Sequence, residues 1–256
     1  GANAASAGIV NVITGTGATS ITDSNGITLN VDAAALANNT ALTLVGSAAE
    51  VVTGLIGNIT AGSLTGALTV TTGDATDNTI AITTGSAATS IAASGTSDVV
   101  TVTATTLADN ATLTLAGSAA QTVTGLRGDL AAGGVSGALN VTTVAVASGL
   151  SIATGSGSNT ITASALTAGQ TLTLTGSSAA TVTLNAGNLS AGSYTGNLTA
   201  TGGTGANTIT AGNGTNTITG GGGADILTGG TGSDTFNFAS AVNLGAATTI
   251  AGGIGN

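Results

Sequence analysis

The sequence predicts an all-β protein: a right-handed, parallel β-solenoid that ends in a roll of short rungs. Three observations predict it. Short runs alternate apolar and polar residues with period two, long phrases repeat without gaps, and four nonapeptides follow one another near the C-terminus. Self-similarity of this kind marks a stacked array in which each unit buries its face on the next. The competing architecture is a chain of antiparallel β-sandwich repeats, because alternation alone does not set strand direction.

Composition excludes the helical classes and most chemistry. The 256 residues include 43 Gly and no Pro, Cys, Met, Trp or His. Gly and β-branched residues interrupt every window, and long straight polar side chains that support an exposed helical face are scarce. One basic residue stands against ten acids, a net charge of −9. Nothing basic exists to hold phosphate, so no nucleic-acid partner is expected. Disulfides and thiolate metal sites are impossible without Cys. No run of about 18 apolar residues is present, so no transmembrane segment is expected. The start, "GANAASAGIV", carries no initiator Met and no basic n-region, which reads as a processed product or the ordered part of something longer.

Strands are expected at "ITLNV" (27–31), "LTLV" (42–45), "LTV" (68–70), "VVTVT" (99–103), "LTLA" (113–116), "LNV" (139–141), "LTLT" (172–175) and "TVTL" (181–184). Three phrases of the form LTL-x-G-S, starting at Leu42, Leu113 and Leu172, align without gaps over about thirty residues and should occupy equivalent rungs. The second interval is shorter than the first by less than one solenoid turn. Shorter phrases precede them: "TGTGATSIT" at 14–22, "TGSAATSIA" at 84–92 and "TGSGSNTIT" at 154–162. This divides the chain into solenoid repeats over 1–201 (units around 14–82, 83–152 and 153–201), a nonapeptide roll over 202–238, and a tail over 239–256 that reads as truncated. Inward places fall to Leu44, Leu115, Leu174, Ile209, Ile218 and Leu227. Outward Thr, Ser and Asn stack in ladders about 4.8 Å apart. Gly supplies the corners. A thin core leaves no room for aromatics, and Tyr194, Phe236 and Phe238 are the only ones, the two Phe plugging the end of the solenoid.

From 202 the nonapeptide becomes strict: "GGTGANTIT" (202–210), "AGNGTNTIT" (211–219), "GGGGADILT" (220–228) and "GGTGSDTFN" (229–237). Ile209, Ile218, Leu227 and Phe236 take its apolar place. The pattern G-G-x-G-x-D-x-U-x resembles the calcium-binding nonapeptide of RTX proteins, which type I systems of Gram-negative bacteria export. Glycine turns expose carbonyls and the Asp adds a carboxylate, a set suited to a hard cation wanting six to eight oxygens. The resemblance implies Ca2+ between the turns at 203–207 and 221–225, and between those at 212–216 and 230–234. Its ligands would be Asp225, Asp234, Asn207 and Asn216 with Gly203, Gly205, Gly221, Gly223, Gly230 and Gly232. Asn207 and Asn216 stand where the pattern has Asp, so each site would keep one carboxylate and bind weakly. Asp225 and Asp234 would be the only charged ligands.

Other motifs weigh less. "RGD" at 127–129 falls on a turn whose equivalents are Ile56-Gly57-Asn58 and Ala186-Gly187-Asn188, so a shared turn explains it better than integrin docking. Asp74 and Asp77 lack the aromatic neighbours of a sugar site and read as solvated turn residues. No Lys exists for a P-loop, and Ser-His-Asp or Cys-His chemistry cannot be assembled. The chain is therefore expected not to be an enzyme. Its leading function is a self-assembling, calcium-stabilised building block of a bacterial surface layer or extracellular filament, outside a Gram-negative cell. Its partners would be further copies, lateral or head to tail, and a cell-surface polysaccharide. The alternatives are a spacer segment of a giant type I-secreted RTX adhesin, the non-catalytic tail of an RTX enzyme, and an ice- or surface-binding Thr ladder. The last ranks low because T-x-T triplets look irregular along the chain.

Overall fold

The computed structural model describes residues 9–23, 26–73, 79–238 and 248–253. Asp74, Asp77 and most of the expected tail lie outside the described residues. Within them the chain forms strands and no helix, from β1 (Val10–Ile13) to β25 (Thr249–Ala251). Successive strands alternate between two sheets: odd-numbered strands build a sheet of 13, even-numbered strands a sheet of 12. The pairings are parallel, so the molecule is a two-sheet parallel β-solenoid and not an antiparallel sandwich. No helix of the described residues is long and apolar enough to cross a membrane.

One aliphatic core runs the length of the array. Leu44, Leu115, Leu174, Ile209, Ile218 and Leu227 all lie inside it, nearly or fully buried. Burying such a side chain contributes about 1.5–3 kcal/mol relative to leaving it exposed. Tyr194 departs from expectation: it is fully buried. It stands where the other copies place Leu64 and Val135, and it fits because Gly176 lies against the ring, where a Cβ would come within 2.9 Å of Cε2. Its hydroxyl donates to Ser178 O at 2.6 Å, which satisfies the polar tip inside the core. Phe236 and Phe238 are partly buried against the core at the last rung of the even sheet.

The first two long phrases are equivalent in local structure but not in sheet, and the third matches them only in part: Gly176 has a positive φ (151°), but Leu184 stands in the place of Gly54 and Gly125, and the strand Asn188–Ser190 has three residues where they have seven. Gly46 and Gly117 have positive φ (143° and 110°), and Gly54 and Gly125 (67° and 69°) sit in matching register shifts at 52–55 and 123–126. Yet β4 (Ala41–Gly46) belongs to the even sheet, while β11 (Thr112–Gly117) and β17 (Thr171–Thr175) belong to the odd one. The step of seven strands from β4 to β11 switches the sheet, whereas the step from β11 to β17 is six and does not, because the third copy lacks one strand. In the first two copies β3 (Leu29–Asp32) and β10 (Val99–Thr103) precede the opening strand; in the third, β16 (Asn159–Thr162) runs straight into β17. The two sheets offer the same apolar interior, so the half turn, and not the full turn, is the unit that can be lost without turning apolar residues outward.

Alternation by half turns also hides a regular surface. On the even sheet β16, β18 (Ala180–Thr183), β20 (Leu198–Thr201) and β22 (Thr217–Thr219) pair in succession. Thr160, Thr181, Thr199 and Thr217 form one column, and Thr162, Thr183, Thr201 and Thr219 a second. The T-x-T triplets are thus regular on this face over those rungs. They look irregular in sequence because the strands of the other sheet lie between them.

Candidate metal centre

Each corner is made by the residues just before a strand. In the C-terminal array the strands shrink to three residues: β21 (Thr208–Thr210), β22, β23 (Ile226–Thr228) and β24 (Thr235–Asn237). Turns lie close because Gly permits it. Gly221, Gly223, Gly230 and Gly232 have φ of 90°, 98°, 94° and 115°, and a Cβ on Gly221 would run into the Gly203 carbonyl one turn away. Gly203 and Gly205 lie directly under Gly221 and Gly223 without positive φ themselves.

The turns expected to face each other do so, 18 residues apart. Asp225 Oδ1 accepts from the Asn207 backbone N–H at 2.9 Å. Asp234 Oδ1 accepts from the Asn216 backbone N–H at 3.1 Å. The two corners then differ. Asn207 turns its amide away, donating to Asn185 O (3.3 Å) and Gly187 O (2.6 Å) of the preceding turn. Asp225 Oδ2 is buried without a hydrogen-bond partner. Asn216 turns its amide inward. Its Nδ2 donates to Gly212 O and Gly214 O at 3.3 Å each, Gly229 O at 3.1 Å and Asp234 Oδ1 at 2.9 Å. The Leu198 N–H donates to Asn216 Oδ1 at 3.0 Å, which fixes the amide orientation.

These geometries decide how each corner suits a cation. Around Asn216 Nδ2, oxygens converge as they would on an ion, and the N–H group takes that place. At Asp225 an orphaned, buried carboxylate oxygen points at no donor. Burial pushes the Asp225 carboxyl above its ordinary value, and the bond from Asn207 only partly opposes this. An oxygen-seeking cation would remove that cost. The donor set is hard and anionic, which fits Ca2+. Among the described residues no three acidic side chains come together, so any such site leans on backbone carbonyls.

Residues 201–236 match the family model of the RTX calcium-binding nonapeptide repeat (4 copies). The array is RTX-type. RTX nonapeptide repeats bind calcium. No curated protein and no solved structure matches the chain.

Upstream of the RTX array the same corner place holds polar residues that the sequence reading passed over. Gln121 and Asn159 are buried there, and so is Glu50. The visible signal was phase: "VGSAAEVVT" (45–53) puts Gly46, Glu50 and Val52 at the second, sixth and eighth places of the nonapeptide. The RGD residues serve the fold. Arg127 Nε donates to Asp109 Oδ1 at 2.9 Å, and this bond, with one from the Ala147 N–H, holds Asp109 below its ordinary value. Asp129 accepts the Ser151 N–H of the next turn at 2.8 Å, as Asn58 does for Ala81 and Asn188 for Thr208.

Proposed function

We propose that this chain is a non-catalytic, calcium-stabilised building block of a bacterial surface layer or extracellular filament, secreted as RTX repeat proteins generally are. The observation that carries it is the uninterrupted pair of parallel sheets, whose long outward faces are nearly free of charge. Stacked columns of like charge would repel; Thr and Ser columns do not, and they let copies pack side by side. Calcium in the RTX array would set rigidity outside the cell. Asp225, with Asn207 and the Gly carbonyls of 203–205 and 221–223, would hold one ion. Asp234, with Asn216 and the carbonyls of 212–214 and 230–232, would hold a second once the Asn216 amide swings out. The bound ion supplies charge neutralisation and a cross-link between neighbouring turns. Light scattering and electron microscopy of the purified chain with calcium test the reading: ordered sheets or filaments are expected. A monomer that persists across a wide concentration range contradicts it and favours the adhesin spacer.

A second reading has a specific observation behind it. The two Thr columns on the even sheet present hydroxyls and methyls in a flat grid. Such a face suits an ordered water lattice or a crystalline polysaccharide. An ice-recrystallisation assay tests it: inhibition by the native chain that Thr181→Lys abolishes supports surface binding, and no inhibition removes it.

A further inference from the structure

The corner place holds amides and acids, and Glu50 is the acid upstream of the RTX array. Where the corner side chain is an amide pointing inward, its N–H groups meet backbone carbonyls. Gln121 Nε2 donates to Ala116 O at 3.0 Å. Asn159 Nδ2 donates to Gly157 O at 2.9 Å and Ala179 O at 3.2 Å. Asn216 does the same. The corner is a socket lined with acceptors and suited to something positive or N–H bearing. Glu50 fills that socket with two more acceptors. It is 1 % exposed, and neither carboxylate oxygen has a hydrogen-bond partner. The basic side chain, Arg127, is engaged with Asp109.

A second acid lies on the turn before. Asp23 packs against the backbone of Gly46, with its Cβ 3.1 Å from where a Cβ on that glycine would stand. Its N–H donates to Val45 O at 2.8 Å, and its Oδ2 accepts the Gly26 N–H at 2.9 Å. Val45 is to Glu50 in the repeat what Ala116 is to Gln121, and its carbonyl takes the Asp23 N–H. We propose that Glu50 and Asp23 hold a calcium ion between neighbouring turns of the N-terminal third, a cation site outside the RTX array. Two acids thus stand on adjacent turns about the Gly46–Glu50 corner, whereas each array corner sets one acid against an Asn. The electrostatics agree. Burial, with the Asp23 charge added, pushes Glu50 up to about 7, a cost that a divalent ion between the two carboxylates offsets. Unpaired buried carboxylates are otherwise avoided.

The site stands apart from the array and can be tested apart from it. Calorimetry with calcium chloride is run on the Asp225→Asn/Asp234→Asn chain, where the array carries no carboxylate at its corners. One equivalent of calcium should still bind, and hydrogen exchange should slow across 29–70. Adding Glu50→Gln should remove that equivalent. The change is compatible with the fold, because Gln121 occupies the matching corner. Glu50→Gln in the native chain should likewise lower the stoichiometry by one. If the double variant binds no calcium, or if Glu50→Gln leaves the stoichiometry unchanged, the site is overturned and Glu50 holds only a proton. If the Asp225→Asn/Asp234→Asn change removes no equivalent from the native stoichiometry, the proposed calcium in the array fails while this test stands.

Discussion

The solenoid upstream of residue 202 and the RTX array after it share two sheets but are held by different means. Upstream strands reach seven residues, as in β6 (Asn58–Leu64) and β12 (Ala120–Leu126), and bury three side chains each. Array strands have three residues, and Ile209, Ile218 and Leu227 are buried one to a strand. At about 1.5–3 kcal/mol per buried side chain, an array rung gains far less from its core than an upstream rung does. Its corners must supply the difference. They do so with Asn amides, close Gly turns and a carboxylate that asks for an ion. The comparison teaches that an aliphatic core makes rungs self-sufficient, while corner chemistry makes them conditional on the solution outside.

The sharpest way to break this comparison is to damage each region on its own terms. Leu115→Ala, deep in the upstream core, should cost about 2–5 kcal/mol, read as a lower denaturation midpoint that is the same with and without calcium. A calcium-dependent cost would contradict the division. Gly221→Ala should cost roughly 1–3 kcal/mol, since it strains a residue at φ of 90° and drives a Cβ into the Gly203 carbonyl. Its effect should stay within the array. Gly133→Ala, where a Cβ meets nothing within 4 Å, should stay within about 0.5 kcal/mol and serves as the upstream control.

A gain of function sharpens it further. Asn216→Asp removes the amide that occupies the second corner and adds a carboxylate opposite Asp234. Calcium affinity measured by calorimetry should rise on the order of tenfold, because ligand charge tunes such sites. Without calcium the same variant should melt lower than the native chain, as two carboxylates then share a buried corner.

The smallest expected effect concerns pH and lies upstream. Glu50 has its folded-state value raised to about 7, above the ordinary 4.5. A raised value means its contribution is fully present below about pH 4.5 and is lost as pH rises through 7. In chelator, melting temperature should therefore fall between those limits. Glu50→Gln should flatten that fall, and an unaltered pH profile would count against a buried, ionisable Glu50.

Much of this was legible in the residues. Period-two runs gave the strands, and repeats from Leu42, Leu113 and Leu172 gave the stacking, because local pattern and solenoid packing agree. The strict nonapeptides named the residues of the array corners. What stayed hidden depended on phase between distant rungs. The even-sheet Thr grid is cut up in sequence by odd strands. The half-turn deletion before β17 shows only when strands are assigned to sheets. Tyr194 entered a core judged too thin because Gly176, a neighbour in space and not in sequence, leaves room. Glu50 was passed over because Ala48 stands where the nonapeptide has its second turn Gly.

Hydrogen exchange of the native chain, read segment by segment with calcium and then with chelator, tests the division most directly. Chelation should speed exchange through β21, β22, β23 and β24 by more than tenfold, and should leave the Leu- and Val-lined strands from β10 through β17 protected as before. Equal loss of protection in both regions, or none in either, would contradict the account that corners hold the array and the aliphatic core holds the rest.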